Sequence, residues 1–176
     1  ENKILMRKIL LESGIDKTKY MVAGSKEDLI NCEDLVGFPC YVKPADNSGS
    51  RGITRVVEPS GLESAFDLAK NNNLIENKVI IEQEIIGNEY SIDTVVIDNV
   101  LYNAGISDRL FNKKDKYAVQ NGSLTPSLLS EETQKSMIDL MDEIAQKFEI
   151  NNSALKGDLI IDEKGEVRVI EIAART

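Results

Sequence analysis

Phe38-Pro39-Cys40-Tyr41-Val42-Lys43-Pro44-Ala45-Asp46-Asn47-Ser48-Gly49-Ser50-Arg51-Gly52 is the stretch on which the rest of the chain turns. A short apolar run delivers a lysine, and a small, polar, glycine-punctuated loop follows at once. The β-branched run Ile53-Thr54-Arg55-Val56-Val57 comes next. Small residues let backbone N–H groups approach an anion closely, and such nests bind phosphate. Lys43 and Arg51 add charge and donors suited to phosphate oxygens. The loop joins strand to strand, so it is not the strand-to-helix phosphate loop G-x-x-x-x-G-K-[ST], whose spacing is absent. Lys43 with residues 48–52 (Ser48, Gly49, Ser50, Arg51, Gly52) is therefore either a mobile flap over a nucleotide triphosphate or ordinary turn chemistry.

The 176 residues are 41% hydrophobic and 29% charged, enough for a real core in one domain of two lobes. A net charge of −9 disfavours a nucleic-acid or anionic-membrane surface, which needs clustered Lys and Arg. One local positive site still suffices for a free nucleotide. Cys32 and Cys40 are the only cysteines and form no disulfide framework, which favours a reducing, cytoplasmic compartment. No signal peptide and no membrane-spanning apolar run is evident. The absence of histidine removes Ser-His and Cys-His nucleophiles, histidine metal sites and phosphohistidine chemistry from these residues. Carboxylate, lysine, arginine and metal chemistry remain. A start at Glu1 and an end at Ala173-Ala174-Arg175-Thr176 suggest part of a longer protein.

The spacing of Ile4, Leu5, Ile9, Leu10 and Leu11 predicts a helix closed by Gly14. A strand is expected near 18–22, and a short helix capped by Ser25 through Asn31. Strand, loop and strand fill 39–57. Ser60 is expected to cap a helix over 61–72 with Leu62, Ala65, Phe66 and Ala69 inward. Residues 78–84 read as a strand and Gly87 as a bend. Residues 89–97 and 100–107 read as a hairpin around Asp98-Asn99, residues 112–115 as loop, and 117–123 as a short strand. Ser130 caps a long helix to Phe148, and 155–161 with 166–172 form a last hairpin. That order predicts an α+β fold of two lobes, 1–86 with the glycine loop and 87–176 with the acidic hairpin.

Two further clusters carry chemistry. Glu82-Gln83-Glu84-Ile85-Ile86-Gly87-Asn88-Glu89-Tyr90-Ser91 is extended, and alternation puts Glu89, Ser91 and Asp93 on one face. It is either a cleft lining or an exposed strand face. In the last hairpin, a two-residue turn flanked by Asp162 and Gly165 sets Asp158 opposite Val169, with Glu171 one diagonal away. Two such carboxylates can share a Mg²⁺. Asp162, Glu163 and Glu166 read as solvated turn residues, whereas Asp158 and Glu171 interrupt or end apolar runs. Arg175 follows at the strand end, ready for a phosphate or carboxylate.

Taken together, these motifs resemble the ATP-grasp superfamily of ATP-dependent carboxylate ligases, over essentially the whole chain. Val42-Lys43-Pro44 and the following loop are similar to the family's lysine and flexible phosphate loop. Asn2-Lys3-x-x-x-Arg7 resembles its opening lysine motif. The resemblance implies a nucleotide held between two α+β lobes. By it, Lys3 and Lys43 contact ATP phosphates, Lys43 in part adenine. Glu82, Gln83 and the backbone to Ile85 hold adenine, Glu89 holds ribose, and Ser48, Gly49, Ser50, Arg51 and Gly52 cover phosphates. Asp158 and Glu171 hold Mg²⁺, with Mn²⁺ as a substitute, and Lys43 and Arg175 are the catalytic cations. Two departures stand out. Ala173 lies where an asparagine that binds metal is common, and Asp158 where glutamate is. The ending is closer to amino-acid-ligase-like and carbamoyl-phosphate-synthetase-like members.

The activity so implied is ADP-forming ligation of a small carboxylate to an amine through an acyl phosphate, with neither nucleic acid nor membrane as partner. The oligomeric state is left open. Arg109 is either an acceptor-binding group or the ion-pair partner of Asp108 or another acid. The alternatives are an ATP-binding module without ligase activity and a structural α+β domain.

Overall fold

The computed structural model describes residues 2–111 and 120–174. It divides into two compact units: residues 1–8 with 17–84, and residues 9–16 with 85–176. The second takes in a segment, 9–16, that a linear division of the chain does not include. The expected loop at 112–115 and the start of the strand expected at 117–123 lie outside the described residues, as does Arg175.

The first unit is built on an antiparallel sheet of order β1-β4-β2-β3, where β1 is Tyr20–Ala23, β2 Cys40–Pro44, β3 Thr54–Val56 and β4 Val79–Gln83. Period-2 alternation separates its faces. Val42 pairs with Ile81 and both are fully buried, with Met21, Ala23 and Val79 in the same core. Helix α3 (Leu62–Asn71) covers this face with Leu62, Ala65, Phe66 and Ala69, the four residues its periodicity singles out. The two large ones, Leu62 and Phe66, each contribute roughly 1.5–3 kcal/mol on full burial. Ser60 does not cap α3. Pro59 opens a 3₁₀ turn to Gly61, and the Ser60 hydroxyl donates to Glu58 instead. The segment after Ser25 is likewise 3₁₀ (Lys26–Asn31), followed by a short helix α2 (Cys32–Leu35). The Asp28 carboxylate accepts from the Gly24 and Ser25 N–H groups there. Cys32 and Cys40 are buried free thiols. Helix α1 (Lys3–Glu12) gives its residues through Lys8 to this unit.

The second unit is an antiparallel sheet of order β7-β6-β5-β8-β9, with β5 Gly87–Ile97, β6 Val100–Phe111, β7 Gln120–Leu124, β8 Ser153–Asp162 and β9 Val167–Ala173. Helix α4 (Glu131–Lys147) begins as expected, the Ser130 hydroxyl accepting from the Thr133 N–H at 3.2 Å. It buries Met137, Met141, Ile144 and Ala145. The sheet face carrying Tyr90, Ile92, Val96, Leu155 and Leu159 is buried too. Ile92 pairs with Gly157, and a Cβ on Gly157 would lie 2.6 Å from Met141 Sδ, so α4 lies on this face. Glu89, Ser91 and Asp158 therefore point the other way. Segment 9–16 belongs here for a definite reason. The buried Asp16 carboxylate accepts the Val169 N–H at 2.6 Å and pairs with Arg168 at 3.2 Å. Among the described residues no helix is long and apolar enough to cross a membrane.

Candidate functional site

In the first unit the face opposite the apolar core carries a buried ion cluster. Antiparallel pairing puts Glu82 beside Tyr41 and Ile80 beside Lys43. Lys43 Nζ donates to Glu82 Oε2 at 2.6 Å, and Arg7 Nε to Glu82 Oε1 at 2.7 Å. Arg7 comes from α1, where Lys3 lies one turn earlier, and Lys3 Nζ donates to the Asn47 carbonyl at 2.5 Å. The spacing Lys3-x-x-x-Arg7 thus places both cations on one helix face, one at the glycine loop and one at Glu82. Glu82 is 2% exposed. Burial alone pushes its carboxyl up, but Lys43 and then Arg7 outweigh burial and hold it down at about 2.

Because that value lies below the ordinary 4.5, the Glu82 cluster stabilises the fold above pH 4.5. The contribution is lost as pH falls from there toward 2. The shift corresponds to about 3 kcal/mol at neutral pH. Glu82→Gln is expected to lower stability by about that much near pH 7, with the gap to the parent closing in acid. Chemical-denaturant melts across pH measure it, and a gap independent of pH would contradict it.

Gln83 is committed to the sheet. Its N–H donates to the Lys19 carbonyl and its side-chain oxygen accepts the Lys19 N–H, each at 3.0 Å. Glu84 N–H donates to the Pro39 carbonyl, and its carboxylate takes Arg55 through both oxygens at 2.6 and 2.7 Å. Residues 84–86, including the half-buried Ile85, lie between β4 and β5.

The glycine loop joins β2 to β3 as expected. Its base is tied down: Asn47 donates to the Asn72 carbonyl at 2.6 Å, and the Ala45 N–H to Asn73 Oδ1 at 2.7 Å. Asp46 accepts three N–H groups, from Leu74, Ile75 and Glu76. The tip, Gly49, Ser50 and Arg51, is exposed. Gly52 is required as glycine. Its φ is +74°, and a Cβ would stand 2.6 Å from Asn72 Cβ and 2.9 Å from Pro44 Cγ. The Asn71-Asn72-Asn73 run that ends α3 thus also anchors the loop.

In the second unit a row of polar side chains crosses four neighbouring strands. Ser91 on β5 pairs with Asp158 on β8, and its hydroxyl donates to Asp158 Oδ1 at 2.8 Å. Arg109 on β6 donates through Nη1 to Glu89 Oε2 at 2.9 Å and lies 3.2 Å from Asp158 Oδ2. Asp108 is not its partner, since that carboxylate takes the Ser127 hydroxyl at 2.5 Å. On β9, Glu171 stands directly opposite Asp158.

That last register differs from the sequence expectation by two shifts of one residue each, in the same direction. The turn holds three residues: Asp162 N–H donates to the Glu166 carbonyl, Gly165 N–H to the Asp162 carbonyl, and Gly165 adopts φ +81°. A bulge then lies between Asp158 and Leu159 in the pairing, so Leu159 faces Val169 but Asp158 faces Glu171. The two carboxylates are therefore immediate cross-strand neighbours, closer than a diagonal pair. Ala173 lies opposite Lys156 and supplies no donor.

Among the described residues no three His, Cys, Asp or Glu side chains are grouped to hold a metal unaided. Two facing carboxylates nonetheless fit Mg²⁺, which keeps waters and takes phosphate oxygens as further ligands. Sequence reasoning missed Asp16, a single polar residue without a motif, and the loop-anchoring role of Asn72, and left open the partner of Arg109.

A family model described as the ATP-grasp domain matches residues 36–176. The chain belongs to the ATP-grasp domain family. A D-alanine–D-alanine ligase of Bacillus pumilus is 25% identical over 183 residues, covering 97% of this chain and 50% of that protein. The VanG D-Ala:D-Ser ligase from Enterococcus faecalis superposes with a TM-score of 0.84 at 21% identity, covering 98% of this chain and 52% of that one. The biotin carboxylase domain of Hydrogenobacter thermophilus 2-oxoglutarate carboxylase, solved with MgADP, ADP and bicarbonate, gives 0.83 at 20% identity, with coverages of 99% and 40%. This ATP-grasp chain therefore spans about half the length of the curated relatives it matches. The α+β expectation holds, as two antiparallel sheets with accompanying helices.

Proposed function

We propose that this chain is the ATP-grasp portion of an ADP-forming ligase that joins a small carboxylate to an amine. The observation that carries the proposal is the facing pair Asp158 and Glu171 on a polar sheet face, in a chain of this family. In this proposal Lys43 and Lys3 offer their ammonium groups to the nucleotide phosphates. Residues 48–52 (Ser48, Gly49, Ser50, Arg51, Gly52) turn N–H groups and the Arg51 guanidinium toward them. Glu82 acts through Lys43, whose ammonium group it orients, more than through adenine. Gln83 shapes the adenine strand through its bonds to Lys19, and the backbone at Ile85 meets the base edge. Glu89 takes the ribose hydroxyls.

Asp158 and Glu171 hold Mg²⁺, or Mn²⁺ in its place, and the ion when bound neutralises charge on the transferring phosphoryl group. Arg175 steadies the carboxylate being phosphorylated. The carboxylate oxygen attacks the γ-phosphorus, ADP leaves, and the amine then displaces phosphate from the acyl carbon. Preorganised cations aimed at the developing charge are the main protein contribution to such a step.

The relatives' names point to amino acids as the first carboxylates to test. Full-length protein given MgATP and D-alanine labelled with ¹⁸O in its carboxylate is expected to release phosphate carrying one ¹⁸O per turnover. ADP formed with unlabelled phosphate would mean hydrolysis and would remove the acyl phosphate.

A further inference from the structure

We propose that Arg109 is a positioning residue that serves as the resident countercation of the Asp158 carboxylate and shifts to nucleotide phosphate when a divalent ion arrives. The inference rests on the metal and nucleotide roles proposed above for Asp158, Glu171 and Glu89.

Four adjacent strands, β6, β5, β8 and β9, bring Arg109, Glu89, Asp158 and Glu171 onto one sheet face. Three carboxylates so close repel one another, and like charges opposed across strands destabilise a sheet. The single nitrogen Nη1 of Arg109 answers two of them, at 2.9 Å from Glu89 and 3.2 Å from Asp158. Lys156 is more distant, 4.0 Å from Asp158. The guanidinium is held from behind. Its Nε donates to Gln120 Oε1 at 3.1 Å, and the group lies 5.1 Å from the centre of the Phe111 ring. The side chain is only 15% exposed, so water screens these charges less than at an open surface.

An ion bound by Asp158 competes with Arg109 for the same Oδ2 oxygen. Once displaced, the guanidinium keeps Glu89 and has donors to turn toward a phosphate. Without an ion, Arg109 is the charge that lets a polyphosphate approach three carboxylates at all. Arg109 therefore sets how strongly nucleotide affinity depends on the metal, a coupling that is reciprocal between the two ligands.

The readout is the ratio of the dissociation constant of a non-hydrolysable ATP analogue in EDTA to that in saturating Mg²⁺, measured by calorimetry or by competition. Comparing variants cancels the affinity of Mg²⁺ for the nucleotide in solution. Arg109→Gln is expected to weaken metal-free binding most and raise the ratio at least about threefold. Arg109→Lys, which keeps the charge, should stay within about twofold of the parent. Arg109→Met serves the same comparison should the glutamine variant fail to fold. A ratio in the neutral variants that rises less than about threefold, or falls, overturns the proposal, because a purely structural residue weakens both states alike. Glu171→Gln separates the two ideas: if it leaves the ratio at the parent value, the metal assignment itself fails, whatever Arg109 does.

Discussion

Glu171→Gln is expected to abolish ADP formation by the intact protein while leaving the domain folded. Glu171 and Asp158 face each other directly, and their charges are what a divalent ion would offset. The amide keeps the shape and removes one charge. Loss of an electrostatic group of this kind costs on the order of 10²–10³ in rate. Asp158→Asn is expected to be milder, because Arg109 and Ser91 already share the Asp158 oxygens and blunt its charge. Initial rates of ADP release against Mg²⁺ concentration, with denaturant melts of the same proteins, check both halves. Parent-like rates and metal dependence in both variants would reduce the pair to a solvated hairpin.

Lys43→Met is expected to weaken MgATP binding at least about tenfold, or about 1.4 kcal/mol. It also removes one of two cations from the buried Glu82 carboxylate. Breaking a buried pair costs roughly 3–5 kcal/mol when the survivor is left uncompensated, and Arg7 keeps the loss nearer 2 kcal/mol. Lys43→Arg, which retains the charge, should recover most of the stability and less of the affinity, since a planar fork does not reproduce a point ammonium. Titrations well below each variant's unfolding temperature separate the two effects. Parent-like affinity in folded Lys43→Met would take Lys43 out of the nucleotide site.

What could be read in the sequence was what depends on local pattern. Helical spacing marked α3 with its buried face, the Ser130 cap marked the start of α4, and alternation marked β5 with Glu89 and Ser91 on its polar side. The lysine–glycine loop declared itself because both a charge and a permissive backbone are needed within a few residues. Less visible was anything decided by distant pairing. The Asp158–Glu171 register depends on one extra turn residue and one bulge, and neither alters the apolar pattern that predicted the strands. The ion cluster at Glu82 joins residues 7, 43 and 82, which only the fold brings together. Asp16 reaches across more than 150 positions to Val169. Arg109 read either as an acceptor-binding group or as the ion-pair partner of Asp108 or another acid, and strand geometry turned it to Glu89 and Asp158.

The central claim is that this chain carries a metal-dependent nucleotide site. It is tested most directly by calorimetric titration of the protein with ATP, once with Mg²⁺ and once with EDTA. The account predicts saturable one-site binding that is tighter when Mg²⁺ is present. Absence of binding under both conditions by folded protein would contradict it.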